Sequence, residues 1–264
     1  MAGVGGDTDK LTPYRLTNQA EIRRYLNLDR EWSLYALADL DDDMFARCAW
    51  WAVPGGLALV FRGIAIRPIF VVGDVMSTRR LLAALPETSG YLNLKAHQLE
   101  AAEGIYRYRE RHEMRRMFLD AFEPRQGETE ALGIADLGDI ERLYATGDGG
   151  GIAFAAFQLD TGFFRGIRRD GELVAVAGVQ VASRKEGVAA VGNIFTRPDC
   201  RGQGLAQIVT SAVVMAAQEA GIRTIGLNVE HTNAAAIRAY ERIGFCTRFS
   251  YFEGTADKVA SAGP

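Results

Sequence analysis

The stretch Asn193-Ile-Phe-Thr-Arg-Pro-Asp-Cys-Arg-Gly-Gln-Gly-Leu-Ala206 constrains this chain more than any other. An apolar strand runs into a short loop with two glycines, and the loop opens directly into a helix reading from Leu205 to Gly221. The first turn of a helix leaves backbone N–H groups unpaired and carries the positive end of the dipole. Glycines let an anionic group approach such a backbone closely. That geometry fits phosphate or pyrophosphate. A plain glycine-rich strand-to-helix turn would use the same residues. Two other phosphate loops do not fit. Gly-x-x-x-x-Gly-Lys-Ser/Thr is absent. Gly202 and Gly204 begin a Gly-x-Gly-x-x-Gly, but Gln207 holds the third glycine's place. The strand before it also belongs to an antiparallel run, against a Rossmann unit.

The surroundings read as α+β. Residues 163–169 and 172–182 form strands joined at Asp170-Gly171, a strong hairpin signal. Residues 188–196 form a third strand and 224–230 a fourth. A helix from Ala234 to Ile243 stops at Gly244, and residues 245–253 read as a final strand pair. Upstream, residues 136–146 read as a helix, followed by a glycine cluster at Gly147, Gly149, Gly150 and Gly151. The first half holds a helical stretch over 20–46, in which the acidic run Asp39 to Asp43 is expected as a solvated turn or cap. Strands follow at Leu57–Arg62 and Ile66–Val72, then a helix at Thr78–Leu85 ended by Pro86. Residues 90–97 read as a strand, 98–105 as a short helix, and 106–118 as a hairpin with a solvated face. Glu123 to Glu130, with Pro124 and Gly127, is the best linker. The expected domains are 1–122 and 123–264, each a mixed, mostly antiparallel sheet flanked by helices.

Composition narrows the function classes. The 264 residues suffice for one large domain or two small ones. Thirty basic against 33 acidic side chains leave a net charge of -3, which argues against binding nucleic acid or membrane by bulk charge. Cys48, Cys200 and Cys246 are odd in number and widely spaced, so neither a disulfide framework nor a zinc site is expected, and no metal. Met1 to Lys10 lacks the apolar core of a signal peptide. The weakly polar run Leu205 to Gln218 is too short for a membrane span. A soluble, cytoplasmic protein is expected.

Two motifs together carry a resemblance. Arg201-Gly-Gln-Gly204-Leu-Ala206 matches the Arg/Gln-x-x-Gly-x-Gly/Ala acyl-CoA motif of the GCN5-related N-acetyltransferases, the GNAT superfamily. Downstream, Leu227-Asn-Val-Glu-His-Thr-Asn233-Ala-Ala-Ala-Ile-Arg-Ala-Tyr240-Glu-Arg-Ile-Gly244-Phe245 is similar to the family's strand, Asn, helix, Tyr, Gly-Phe pattern. The resemblance covers roughly residues 126–254 and implies acetyl-CoA as cosubstrate. It implies that the backbone of Ile194, Phe195 and Thr196 pairs with the pantetheine arm, as an added strand does. The N–H groups across Arg201, Gly202, Gln203, Gly204, Leu205 and Ala206 would hold the pyrophosphate. Asn233 would hydrogen-bond near the pantetheine, and Tyr240 would sit by the thioester sulfur.

The implied chemistry is attack of an amine on a thioester. A phenol can protonate the departing thiolate, so Tyr240 is the candidate general acid, with helix–sheet packing as its other reading. The family often places a Glu where this chain has Asn228, which cannot accept a proton at neutral pH. Glu230 shares Asn228's face by alternation and is the candidate base, with a surface carboxylate as the other reading. His231 is a second candidate. Cys200 is expected to pack. Phe154, Phe157, Gln158 and Asp160 fall where acceptor-binding segments lie in the family. The first half lacks the acyl-CoA motif. Asp74 follows Phe70-Val-Val-Gly73, where it would repel pyrophosphate, so this half is read as a degenerate GNAT-like domain. The acceptor would be a primary amine on a small molecule or protein, with no nucleic acid or membrane partner and with a homodimer left open. A non-catalytic acyl-CoA-binding regulatory module is the alternative.

Overall fold

Apolar strands crossed by one parallel connection organise both parts of this α+β chain. The computed structural model describes residues 12–147, 151 and 153–259. Two compact units divide it: residues up to 114 together with those from 250 onward, and residues 115–249.

The first unit holds β1 (Tyr14–Arg15), α1 (Gln19–Leu26), α2 (Leu34–Ala38), α3 (Asp42–Phe45), β2 (Cys48–Val53), β3 (Gly56–Phe61), β4 (Pro68–Val72), α4 (Val75–Ala84), β5 (Ser89–Leu94), α5 (Ala96–Ala102) and β6 (Tyr106–Tyr108). Strands β1 to β4 run antiparallel in order, and β4 then pairs with β5 in parallel through the α4 crossover. Residues 252–257 of the last strand, β13 (Phe245–Lys258), complete this sheet against β5. Val60, Ile69, Val71, Leu81, Leu82, Leu92 and Leu94 are fully buried in the core beneath α4.

The second unit holds the rest: β7 (His112–Leu119, from residue 115), β8 (Glu130–Leu132), α6 (Leu137–Tyr144), β9 (Phe164–Arg169), β10 (Glu172–Ser183), β11 (Val188–Thr196), α7 (Leu205–Glu219), β12 (Thr224–Glu230), α8 (Ala234–Glu241) and the start of β13. Its strand order is β7-β12-β11-β10-β9-β8. Strands β9 and β10 meet at Asp170 and Gly171, both at positive φ (50° and 83°), as a tight hairpin turn requires. Strand β11 pairs antiparallel with β10 and parallel with β12 through the α7 crossover. Core residues Val174, Val179, Val191, Val209, Val213, Leu227 and Phe245 pack with α7 and α8 on one side of the sheet. Leu132, Ile140, Tyr144, Phe164 and Val176 form a second cluster with α6.

Several local expectations change. The helical stretch 20–46 breaks into α1, a 3-10 turn at Asn27–Asp29, α2 and α3. Strand β2 was hidden in its apolar continuation. Residues 106–118 are not a hairpin: β6 pairs with β13, and β7 lies next to β12. Nor is that face fully solvated, because Tyr106 and Arg116 are buried. The final strand pair is one 14-residue strand, β13. Among the described residues, no helix is long and apolar enough to cross a membrane.

The acidic run also differs from a solvated turn. Asp41 and the residues after it open α3, but Asp39 is buried. Burial, reinforced by the charge of Asp41, pushes its carboxyl pKa up to about 8. A raised native pKa means the folded state binds a proton that the unfolded chain releases, so stability declines from about pH 4 to pH 8. The wild-type chain should therefore lose stability relative to Asp39→Asn across that window. Urea unfolding midpoints for both proteins at pH 5 and pH 8 measure it, with the larger gap in favour of Asp39→Asn expected at pH 8.

Candidate functional site

The site begins where β11 leaves β12. Their parallel register runs from Val188–Thr224 to Val191–Leu227 and stops there. Strand β11 continues to Thr196 against β10 alone, with Val176 opposite Phe195 and Ala175 opposite Thr196. A register shift lies between the Gly178–Gly192 and Val176–Phe195 pairs. Asn193 sits in that shift with φ 54°, a left-handed conformation that Asn tolerates better than most residues. The far edge of Ile194, Phe195 and Thr196 thus has no strand in register with it, which is the geometry an extended ligand can extend.

Three side chains hold the irregularity. The Tyr144 hydroxyl donates to the Asn193 carbonyl at 2.9 Å. The Asn193 amide donates to Gln158 Oε1, also at 2.9 Å. Gln158 is buried, and its Nε2 donates to the carbonyls of Ala153 and Gln180 at 3.1 Å each. Gln158 therefore braces the strand instead of facing an acceptor. Phe154 likewise packs inward, edge-on to Tyr144 and Phe164. Phe157 is half-buried and Asp160 exposed. Gly149 and Gly150 of the preceding cluster lie outside the described residues. Thr196 contributes a buried hydroxyl oxygen with no hydrogen-bond partner, an uncommon state for a buried polar atom.

After Thr196 the chain makes a 3-10 turn at Pro198–Cys200 and reaches the loop. Cys200 is buried, and the Arg197 guanidinium donates to its Sγ at 3.7 Å, in keeping with a packing role. Gly202 and Gly204 stand at φ 78° and 79°, where a side chain would be strained. A Cβ on Gly202 would meet nothing within 4 Å, so the loop surface is open there. Gly204 is the N-cap of α7 and supplies no side-chain cap, leaving the first-turn N–H groups of Leu205 and Ala206 unpaired. Gln203 is exposed, and Arg201 folds back so that its Nε donates to the Thr196 carbonyl at 3.2 Å.

Helix α8 supplies the other motif. Asn233 is its N-cap: its side-chain oxygen accepts from the Ala236 N–H at 3.0 Å. Tyr240 lies in the last turn, packed edge-on to Phe245. Its hydroxyl makes no hydrogen bond among the described residues, and the side chain is buried. Burial of the ring pushes the phenol pKa up to about 12, keeping it protonated at neutral pH. Asn228 is half-buried and accepts from Arg116 Nε at 2.9 Å. Glu230 and His231 are exposed at the end of β12 and just past it. Sequence reasoning missed Arg116, a buried guanidinium that also lies over the Phe249 ring at 5.9 Å. Only its place among the apolar residues of β7 hinted at burial.

The residues fit an acyl-CoA. A strand edge without a partner in register, an uncapped glycine-led helix and a protonated phenol occur in one unit.

Comparison with known proteins agrees. Residues 115–245 match the model of the acetyltransferase (GNAT) family. The [ribosomal protein bS18]-alanine N-acetyltransferase of Escherichia coli K12 is 31% identical over 104 residues, spanning 37% of this chain and 68% of that protein. The mycothiol acetyltransferase of Streptomyces avermitilis is 36% identical over 86 residues, 33% of this chain. The match spans only 27%, about a quarter, of that enzyme's length. Among solved structures, a Drosophila protein superposes with a TM-score of 0.68 at 14% identity, covering 95% of this chain and 99% of that one. A GCN5-related N-acetyltransferase from Kribbella flavida gives 0.58 at 17% identity, covering 89% and 95%. At such identities the likeness concerns the fold alone. With the relative from Escherichia coli covered over two thirds of its length, the chain belongs to the GNAT family of acetyltransferases.

Proposed function

We propose that the chain is an N-acyltransferase that moves an acetyl group from acetyl-CoA to a primary amine on a small molecule or protein. The observation that carries this reading is the uncapped N-terminus of α7, led by two positive-φ glycines, directly after a strand edge without a partner. The Ile194, Phe195 and Thr196 backbone would bind the pantetheine arm, and the N–H groups from Gly202 to Ala206 the pyrophosphate. Arg201 frames that loop from the Thr196 side. Asn233 sets the start of α8 and with it the position of Tyr240. The thioester supplies the activated acyl group. Tyr240 holds a proton at its hydroxyl for the leaving thiolate. Glu230, on Asn228's face at the end of β12, would take the amine's proton.

The first unit is a degenerate GNAT-like domain on this reading, so the chain carries two. It repeats the antiparallel run followed by a parallel crossover, β4-α4-β5. Its corresponding groove is filled by its own side chains. Pairing of β4 with β5 ends at Phe70–Asn93. Beyond it, Trp32 Nε1 donates to the Val71 carbonyl at 2.8 Å. Gln98 Nε2 donates to the carbonyls of Val71 and Gly73 at 3.2 and 3.3 Å. Both side chains are buried. Asp74 N-caps α4, accepting from the Ser77 N–H at 2.7 Å, which holds its carboxyl below the usual range.

A second reading, a regulatory acyl-CoA sensor, draws on Asn228 in place of a carboxylate. Thiol release from acetyl-CoA across a panel of amines separates the two, because a sensor releases none above the background hydrolysis rate.

Calorimetry should give one acetyl-CoA per chain, and Gly204→Val should abolish the binding while the protein stays folded by circular dichroism. A stoichiometry of two, or unchanged affinity in the variant, contradicts the assignment. Tyr240→Phe should bind acetyl-CoA normally and lower kcat by roughly tenfold or more, within the range for a lost general acid. Single-turnover kinetics check it, and an unchanged chemical step removes Tyr240 from the mechanism.

A further inference from the structure

The first unit carries a polar patch in the interior of its sheet. Strand β5 lies between β4 and β13, and β6 pairs with the far side of β13. One face of the β5–β13 pair packs under α4 through Leu92, Leu94 and Ala256. The other face presents Tyr91, Asn93, Glu253 and Thr255, all polar and all half-buried. These four side chains keep part of their surface open, unlike Gly90, Leu92, Gly254 and Ala256, which alternate with them and are buried.

Glu253 is held at the centre of the patch. Its Oε1 accepts from the Tyr91 hydroxyl at 3.0 Å, and its Oε2 from the Tyr251 hydroxyl at 2.5 Å. Burial first, then the charge of Glu253, raises the Tyr91 phenol's pKa, so it stays a donor at neutral pH. Glu253 has no ion pair among the described residues. Nearby cations are engaged elsewhere: Lys95 with Asp29 at 2.5 Å, Arg109 with Asp257 at 2.5 Å, and Arg111 over the Phe252 ring at 5.2 Å. Asn93 stands directly opposite Glu253 in the register, which puts the two Cβ atoms roughly 5 Å apart. Its Nδ2 donates to the Tyr91 carbonyl at 3.1 Å, and its Oδ1 accepts from none of the described residues. Both phenol hydrogens are thus used on the carboxylate. The patch offers a ligand chiefly acceptor oxygens and one negative charge without a counterion. Aromatic rings border it: Phe70 is the β4 partner of Asn93, and Trp32 packs on Phe70 and Tyr251 with ring centroids 5.1 and 5.5 Å away.

We propose that Glu253 and Asn93, with Tyr91 and Tyr251 holding the carboxylate, bind a protonated alkylamine in the first unit. An ammonium group has three N–H donors and no acceptor, the complement of this patch. Its hydrogen bond to a carboxylate is charge-assisted and roughly twice as strong as a neutral one. Aromatic rings beside a cation add to the attraction. A calcium or magnesium ion fits less well, because it needs more oxygen ligands than these two side chains supply. All the residues named belong to the first unit, and the inference stands without the acyl-CoA reading. The amine comes from one of two sources, the acceptor that is acetylated or a separate effector.

The test titrates n-butylamine and its neutral isostere 1-butanol into the full chain at neutral pH, with binding read by nuclear magnetic resonance. The wild type should bind the amine about tenfold tighter than the alcohol or more, the scale of one charge-assisted hydrogen bond. Glu253→Gln should bring that ratio close to one. Asn93→Leu should lower it about threefold, the scale of one neutral acceptor lost. Circular dichroism checks folding, and if Glu253→Gln does not fold, Asn93→Leu carries the test. Adding acetyl-CoA to the wild type separates the two sources. Formation of N-butylacetamide with a KM close to the binding Kd identifies the amine as the acceptor. Any other result beside selective amine binding identifies a separate effector, and both outcomes support the site. A wild type that binds amine and alcohol alike, or folded variants that keep the wild-type ratio, overturns it without touching the acyl-CoA reading.

Discussion

The left-handed backbone of Asn193 is the constraint on which the candidate site depends. A regular β11 would stay in register with β12 to its end, and its backbone groups would have no edge to offer. One non-glycine residue at φ 54° ends that pairing, and such a residue persists only when its surroundings over-determine it. Here Tyr144 fixes its carbonyl, and Gln158 fixes its side chain. Gln158 is itself fixed by two carbonyls and by the Ala155 N–H. Tyr144 comes from α6 and Gln158 from the 3-10 turn at Ala156–Thr161, so the site's shape is set by the packing of both against the sheet.

The same crossover gives a different result in each unit because of what stands at the helix N-cap and beside the strand. In the second unit the cap is Gly204, which has no side chain to turn onto the helix. In the first it is Asp74, whose carboxylate already serves a first-turn N–H. A Trp and a Gln reach the freed carbonyls of β4 and the neighbouring loop, whereas at the edge of Ile194–Thr196 the Arg201 guanidinium reaches the Thr196 carbonyl. Filling the groove satisfies polar backbone groups and buries a large ring, which adds stability at the expense of a binding surface.

What the sequence disclosed follows from how local the signals are. The Asp170-Gly171 turn, strand 224–230 and the two glycines before α7 are written in short-range residue patterns, and each element falls where those patterns put it. Strand partners are not short-range. Alternation in residues 106–118 was real, but it could not say that β6 and β7 take different neighbours. The helical reading of 20–46 absorbed short helices of similar composition without marking their breaks. Burial of polar groups was equally invisible. Gln158 read as an acceptor-lining residue because its segment falls where the family places such residues, and Asp39 as a solvated cap because acidic runs are usually exposed, yet both are buried.

Arg116 changes the meaning of Asn228. In isolation, Asn in place of a carboxylate reads as a lost base. The guanidinium Nε at 2.9 Å alters that reading, because an ionised carboxylate at position 228 would be an ion-pair partner first. A cation at that distance stabilises the charged form and lowers its proton affinity, the opposite of what a base needs. Asn228 therefore gives up little proton-accepting capacity in this setting, and it spares the unit a buried ion pair whose desolvation offsets much of its attraction. On the proposed mechanism proton removal would fall to groups at the end of β12, where Glu230 is exposed. The phenol of Tyr240 is under the contrary condition: burial raises its pKa and keeps it protonated. The proposed acid is thus buried and the proposed base exposed, and on that mechanism the two proton transfers would need to share no hydrogen-bonded path through the protein.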